Sequence, residues 1–409
     1  MSHFFTVKEC EDFVENLLLI MYDFSLHHLY DFPNPGFDEL FLKNIDDYIN
    51  EMIDMIGESS TEYKENMEPL INYALEIFYE VCIPPRSFPT SKILKVHTEE
   101  DKNIITNQLN VLRNIPQPEQ RTEEWYQLRN NLITASNAYK IFDSDSSKNQ
   151  LIYEKCFAYN QKITIVRDED FKNINVGTTM HWGQKFERVS VMLYEQMYNT
   201  KVEEFGCLKH PKHYFLGASP DGINVDINSD RYGRLLEIKN IVSREINGIP
   251  KTEYWVQMQL QMEVCDLNEC DFLETKFKEY ESEADFLNDG TFLFTNEKTQ
   301  KGVIMYFSQK NGTPVYIYKP LDMDKEEFDI WEQEMMNQDL IWIQNIYWKL
   351  EEFSCVLVLR NNLWFECAIY DIRDFWKLIE HEREHGFEHR KAKKRKPKMV
   401  EEMKCLIQL

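Results

Sequence analysis

Ser219-Pro220-Asp221-Gly222-Ile223 and, further on, Leu235-Leu236-Glu237-Ile238-Lys239 are the stretch on which the reading of this chain turns. The apolar members of the second run predict a strand, and period-two geometry sends Glu237 and Lys239 to the same face, about 6.7 Å apart along it. Gly217 and Gly222 bracket Ala218 to Asp221, as expected of a turn that brings a carboxylate up to a strand end. Carboxylate oxygens are hard ligands suited to Mg²⁺, and a nearby lysine can orient or activate a water. Together these side chains have the chemistry of metal-assisted phosphodiester hydrolysis. A surface hairpin with solvated charges is the competing reading of so short a motif.

Two flanking segments weigh against the hairpin. Upstream, Trp182, Phe186, Val189, Leu193 and Met197 recur at helical spacing. Glu187 lies beside that stripe, on the face of Val191 and Tyr194, as a partly buried carboxylate that needs a cation or donors. Its bland alternative is a rim glutamate paired with a surface Lys or Arg. Downstream, Tyr254-Trp255-Val256-Gln257-Met258-Gln259-Leu260-Gln261 alternates polar with apolar residues, which by period favours a strand. Its Met, Gln and Leu content favours a helix.

The order W-G-x-x-x-E, S-P-D-G, L-E-x-K, Y-x-x-Q-x-Q, preceded by Trp125-Tyr126-Gln127-Leu128-Arg129 and Ile133-Thr134-Ala135-Ser136, resembles the phage lambda exonuclease and YqaJ-type viral recombinase family. That family is a branch of the PD-(D/E)xK nucleases, and the resemblance covers residues 121 to about 280. It implies an α/β fold with a restriction-endonuclease-like core, a mixed central sheet flanked by helices, and it decides the 254–261 segment as a helix. It further implies that Asp221, Glu237, Glu187 and the Ile238 carbonyl hold Mg²⁺ or Mn²⁺, that Lys239 helps activate the attacking water, and that Gln257 supports lysine and nucleophile. Gln259 matches the second Gln of the element and is expected to contact DNA. Arg129 and Ser136 match positions that grip a terminal 5′-phosphate, and Ser219 joins them as a DNA contact. One departure stands out: where the phage enzyme carries another acid, this chain has His210-Pro211-Lys212-His213, so His210 is at best a weak substitute.

Composition bounds these expectations. The 409 residues, 43% hydrophobic and 13% aromatic, suffice for a sizeable core. No apolar run has the length of a membrane span, and no signal peptide is read. The nine cysteines are scattered without a C-x-x-C pair, which predicts a reducing, intracellular setting without disulfides, zinc ribbon or iron-sulfur cluster. The net charge of −24 argues against generic DNA affinity. The acidity is concentrated in the first hundred residues and between Glu263 and Asp285, however, while residues 389–398 are basic. A nuclease needs only a basic channel, and bound metal ions add positive potential at the site. Lys393-Lys394-Arg395-Lys396 resembles a nuclear import signal and could equally grip phosphate. His381-Glu382-Arg383-Glu384-His385 matches H-E-x-x-H, but its charged surroundings exclude a zinc protease helix.

Along the chain, residues 1–115 read as a mostly helical N-terminal extension, 116–350 as the nuclease domain, and 351–409 as a hairpin, charged helix and basic tail. Thr122 is the expected N-cap of the helix holding Trp125. Strands are predicted over residues 271–280, 303–307 and 315–318, the last two joined through Asn311-Gly312. Further strands are predicted over residues 355–359 and 363–369. The expectation that follows is a metal-dependent 5′ to 3′ exonuclease on duplex DNA ends, serving viral recombination, repair or replication. Polarity, a homo-oligomeric ring and a single-strand annealing or binding protein as partner are implied by the resemblance alone. So is a large-DNA-virus source, with host cytoplasm, nucleus or virion as location. An endonuclease on branched or flapped DNA is the alternative on the same site. A catalytically inactive nuclease-fold repair scaffold is the alternative of a different class.

Overall fold

The computed structural model describes residues 6–56, 60–120, 122–160 and 178–391; the proposed import signal at Lys393–Lys396 and the basic tail beyond Lys391 lie outside these residues. Helices α1 (Val7–His27), α2 (Phe37–Ile56), α3 (Ser60–Val81), α4 (Glu99–Asn114) and α5 (Glu123–Asn130) come first, making the expected helical N-terminal region. Thr6 and Glu9 close a capping box at the start of α1. Thr122 caps α5, accepting from the Trp125 N–H. The apolar periodicity of α1 places Val14, Leu17, Met21 and Phe24 in the same hydrophobic core as Trp255 and Val356.

The chain continues through β1 (Ile133–Thr134), α6 (Ala135–Ala138), α7 (Asp145–Asn160), α8 (Thr179–Tyr198), β2 (Val202–Glu203), β3 (Leu208–Lys209), β4 (Leu216–Ala218), β5 (Gly222–Asn224) and β6 (Leu235–Ile241). It closes with α9 (Thr252–Cys265), β7 (Glu269–Glu279), α10 (Glu283–Asn288), β8 (Lys301–Ser308), β9 (Pro314–Tyr318), α11 (Lys325–Met335), β10 (Ile341–Leu359) and α12 (Asn362–His385). Seven strands pair in the order β2-β5-β6-β7-β10-β8-β9, beside a small sheet β1-β4-β3. Within the large sheet β6 and β7 are parallel, and α9 is the crossover that a parallel pair requires. The β8–β9 hairpin turns through Gly312 at φ +90°, a backbone that glycine tolerates without strain.

Two expectations are corrected. Residues 363–369 are helical: Asn361 accepts from the Trp364 N–H at 2.9 Å and starts α12, whose buried Trp364, Phe365, Ala368 and Ile372 follow a helical period. A seven-residue window read as strand hid that longer period. The boundary expected at residue 350 falls inside β10, which lies between β7 and β8.

Asp271 on β7 anchors the core electrostatically. Fully buried, it accepts from Tyr194 (2.6 Å), Arg231 (2.7 Å), Arg234 (3.1 Å) and Ser91 (2.6 Å). A buried carboxylate survives only with such compensation.

Candidate active site

Asp221 leaves β4 and enters β5 where the backbone is crowded. A Cβ on Gly222 would meet Val202 Cγ1 at 2.1 Å, and one on Gly217 would meet Leu132 Cδ1 at 2.7 Å. These glycines serve close strand packing, and the turn expected from them is a strand-to-strand step. Asp221 Oδ2 accepts from the Ile238 N–H at 2.7 Å, which ties the aspartate to β6.

On β6, Glu237 is fully buried and Lys239 partly so, and the two side chains are hydrogen-bonded through Lys239 Nζ and Glu237 Oε1. Lys239 also sits 4.9 Å from the centre of the Tyr254 ring, a cation–π contact. Asp221, Glu237, Ile238, Lys239, Glu187 and Gln257 line one pocket of about 310 Å³. All residues expected to form the catalytic and metal-binding group are therefore brought together. Glu187, expected to be partly buried, is exposed at the pocket rim.

Asn240 fixes α8, and with it Glu187, against β6. Its Oδ1 accepts from Ser190 and Thr275 at 2.7 Å each, and its Nδ2 donates to the Gly183 carbonyl at 2.8 Å. Gln261 is the residue sequence reasoning passed over. Completely buried, it donates to Glu237 Oε2 at 2.7 Å and to the Ser219 carbonyl at 3.2 Å. Its signal was available: on a helix, position 261 lies one turn beyond Gln257 and shares its face.

The DNA-binding expectations fare differently. Gln259 is turned away from the pocket: its Nε2 donates to the Leu359 carbonyl (2.9 Å) and its Oε1 accepts from the Asn361 N–H (2.7 Å), so both ends of the amide are consumed by the β10–α12 junction. The expected DNA contact at Gln259 is thus corrected to a structural one. Ser219 Oγ is enclosed with no hydrogen-bond partner among the described residues. Arg129 stacks over Trp125 at 4.6 Å, and its carbonyl accepts from Lys155. Burial, with Arg129 and Arg383 nearby, pushes that lysine down to about 7. Ser136 is exposed at the start of α6. Neither Arg129 nor Ser136 lines the pocket, although α6 packs on α9, which carries Gln257 into it. His210 is also absent from the pocket; its Nδ1 accepts from the Lys212 and His213 N–H groups and its ring stacks on Phe365. Within the H-E-x-x-H segment, buried Glu382 is paired with Arg390.

Electrostatically the pocket holds three carboxylates against one lysine. Burial and then the neighbouring Glu237 push the Asp221 carboxyl well above the ordinary range, with Lys239 pulling the other way. Burial opposes the charge on Lys239, but Glu237 and Asp221 outweigh it and raise that ammonium above an ordinary lysine. The surplus negative charge and oxygen-only donor set suit a hard divalent cation. Among the described residues no three His, Cys, Asp or Glu side chains are gathered into a coordinating cluster. Glu237 has its two oxygens turned to Lys239 and Gln261, and Asp221 accepts from a backbone N–H. These carboxylates satisfy protein donors where a cation would otherwise serve.

Residues 124–268 match the YqaJ-like viral recombinase domain. An uncharacterized protein of Acanthamoeba polyphaga mimivirus is 32% identical over 316 residues, covering 68% of this chain. The match accounts for 55% of that protein, so the chain spans about half the length of the curated relative it matches. Among solved structures, an alkaline exonuclease from Laribacter hongkongensis is 19% identical, with 64% of this chain and 95% of that chain covered and a TM-score of 0.39. A phage-related exonuclease from Haemophilus somnus is 12% identical, with 64% and 98% covered and a TM-score of 0.34.

Proposed function

Since this chain carries a YqaJ-like viral recombinase domain, we propose that it is a metal-dependent DNA nuclease, acting as a 5′ to 3′ exonuclease on duplex ends. The observation that carries this reading is the single pocket shared by Asp221, Glu237, Lys239, Glu187 and Gln257. Glu187, Asp221, Glu237 and the Ile238 carbonyl would hold Mg²⁺ or Mn²⁺, which supplies charge neutralisation at the phosphate and a more acidic water.

The protein's own groups do the rest. Lys239, positively charged and tethered by Glu237 and Tyr254, orients the water and stabilises charge on the reacting phosphate. Gln257 presents its amide at the pocket wall, where it can hydrogen-bond to water or phosphate. Gln261 and Asn240 hold the carboxylate strand and the Glu187 helix in mutual register. Arg129 and Ser136, on α5 and α6, are proposed to engage the terminal phosphate, for which a guanidinium and a hydroxyl are suited. The biological setting proposed is viral recombination, repair or replication.

The test is digestion of linear duplex DNA labelled separately at each 5′ and 3′ end, with closed circles alongside, in Mg²⁺, Mn²⁺ and EDTA. Metal-dependent release of nucleotides from 5′ ends, sparing circles, is expected. Cutting of circles would make the protein an endonuclease, and intact DNA under every condition would overturn the nuclease reading.

A further inference from the structure

The N-terminal helices carry a feature that the nuclease reading leaves unused. Between α1 and α3 runs a groove of about 550 Å³ whose walls are almost wholly apolar, with Val14, Leu18 and Tyr22 on one side and Leu70, Tyr73 and Ile77 on the other. Helix α1 thus has two apolar faces. One is buried through Leu17, Met21 and Phe24. The other opens on the groove, beside Val7 (76% exposed) and Leu19 (61% exposed), with Tyr73 of α3 (56% exposed) facing them. Folded proteins rarely leave so continuous an apolar surface to water without a use for it.

The groove's charge restricts its occupant. Glu11 and Glu15 stand on its α1 wall, and residues 7–81 hold 18 Asp and Glu against three Lys and no Arg. A nucleic acid is repelled from such a surface, because polyanion binding rests on Lys and Arg neutralising phosphate. A second copy of this chain would set the same acidic helices against each other. What the surface attracts is a positively charged segment with an apolar stripe.

We propose that the α1–α3 groove docks an amphipathic helix of a partner protein whose apolar stripe is flanked by Lys and Arg. From Val7 to Tyr22 the α1 wall extends about 22 Å, which matches a helix of about 15 residues. The occupant's i, i+3, i+4 and i+7 side chains fill the groove, and its basic flanks meet Glu11 and Glu15. This inference does not depend on the nuclease reading, since the groove and the carboxylate pocket have no lining residue in common.

The test uses the full-length protein and two synthetic helical peptides of about 15 residues with the same Leu stripe, one flanked by Lys and one by Glu, titrated calorimetrically. The Lys peptide is expected to bind one to one, at least about tenfold tighter than the Glu peptide. Leu19→Glu and Tyr73→Glu, both at exposed positions, are expected to weaken it about tenfold or more. Glu11→Lys with Glu15→Lys is expected to reverse the preference. Circular dichroism confirms folding of each variant, and nuclease activity serves only as a control. Absence of binding, equal binding of both peptides, or binding indifferent to the groove variants would overturn the proposal. Binding seen only after removal of residues 1–5 would also overturn it, by making the chain its own occupant.

Discussion

Glu237 is held at both ends, by Lys239 through one oxygen and by Gln261 through the other, and the two contacts should fail differently. Lys239→Ala removes the ammonium proposed to orient the attacking water, so kcat/KM on linear duplex is expected to drop about 10²–10⁴-fold while DNA affinity changes little. Filter binding beside a digestion assay separates the two. Gln261→Leu instead leaves a buried carboxylate oxygen and the Ser219 carbonyl without their donor. A loss of about 1–3 kcal/mol in urea unfolding should accompany the fall in activity.

His210 gives a prediction in pH at the same scale. Burial first, and then His213, push its imidazole down to about 4. In the unfolded chain it would take up a proton near pH 6.5, give or take about half a unit. The unfolded state therefore binds more protons between those values, so the His210 contribution is intact above the unfolded pKa and is lost as pH falls towards the folded one. In His210→Gln the difference between urea midpoints at about pH 7 and about pH 5 should shrink. An unchanged difference would mean that the ring is not shielded in solution.

Among the elements, α9 explains why a helix can carry the pattern of a strand. Its polar residues do not share a wet face: Gln259 bonds the β10–α12 junction, Gln261 bonds Glu237, and Glu263 pairs with Arg360 at 2.6 Å. A helix enclosed on nearly every side has no solvent stripe to set its period. The expectation of a helix here rested mainly on the family resemblance, since the period pointed to a strand while the Met, Gln and Leu content pointed to a helix. At the start of α12, Asn361→Ala removes the cap on the Trp364 N–H and should cost about 1 kcal/mol, measured as a shift in the urea midpoint. The run at residues 363–369 looked like a strand because a short apolar window cannot register a period that unfolds over α12 as far as Ile379.

At the scale of the whole molecule, the net charge of −24 and the crowding of carboxylates in one pocket lead to the same expectation. Burial and Glu237 both act against a negative charge at Asp221. Asp221→Asn should therefore raise the Tm of the metal-free protein while abolishing digestion. Mg²⁺ should raise the Tm of the wild type more than that of the variant, because a ligand stabilises the state that binds it. Differential scanning fluorimetry with and without EDTA reads both effects. A variant that melts lower in EDTA and gains as much from Mg²⁺ would remove Asp221 from the proposed ion site.

The pocket was legible in the sequence because its chemistry is carried by local geometry. Glu237 and Lys239 share a strand face by period two. The helical N-terminal region was legible for the same reason: caps and apolar spacing are written within each helix. Tertiary structure decided what depends on partners distant in the chain. It turned Gln259 to the α12 junction and Gln261 to the Glu237 carboxylate, two residues apart on one buried helix. It sent His210 to Phe365 and away from the pocket. It also left an apolar wall on α1 facing α3, where the linear pattern showed only one more amphipathic helix. Which neighbour satisfies a buried amide, or leaves an apolar face open, is settled by packing between segments far apart in sequence, and no local period encodes it.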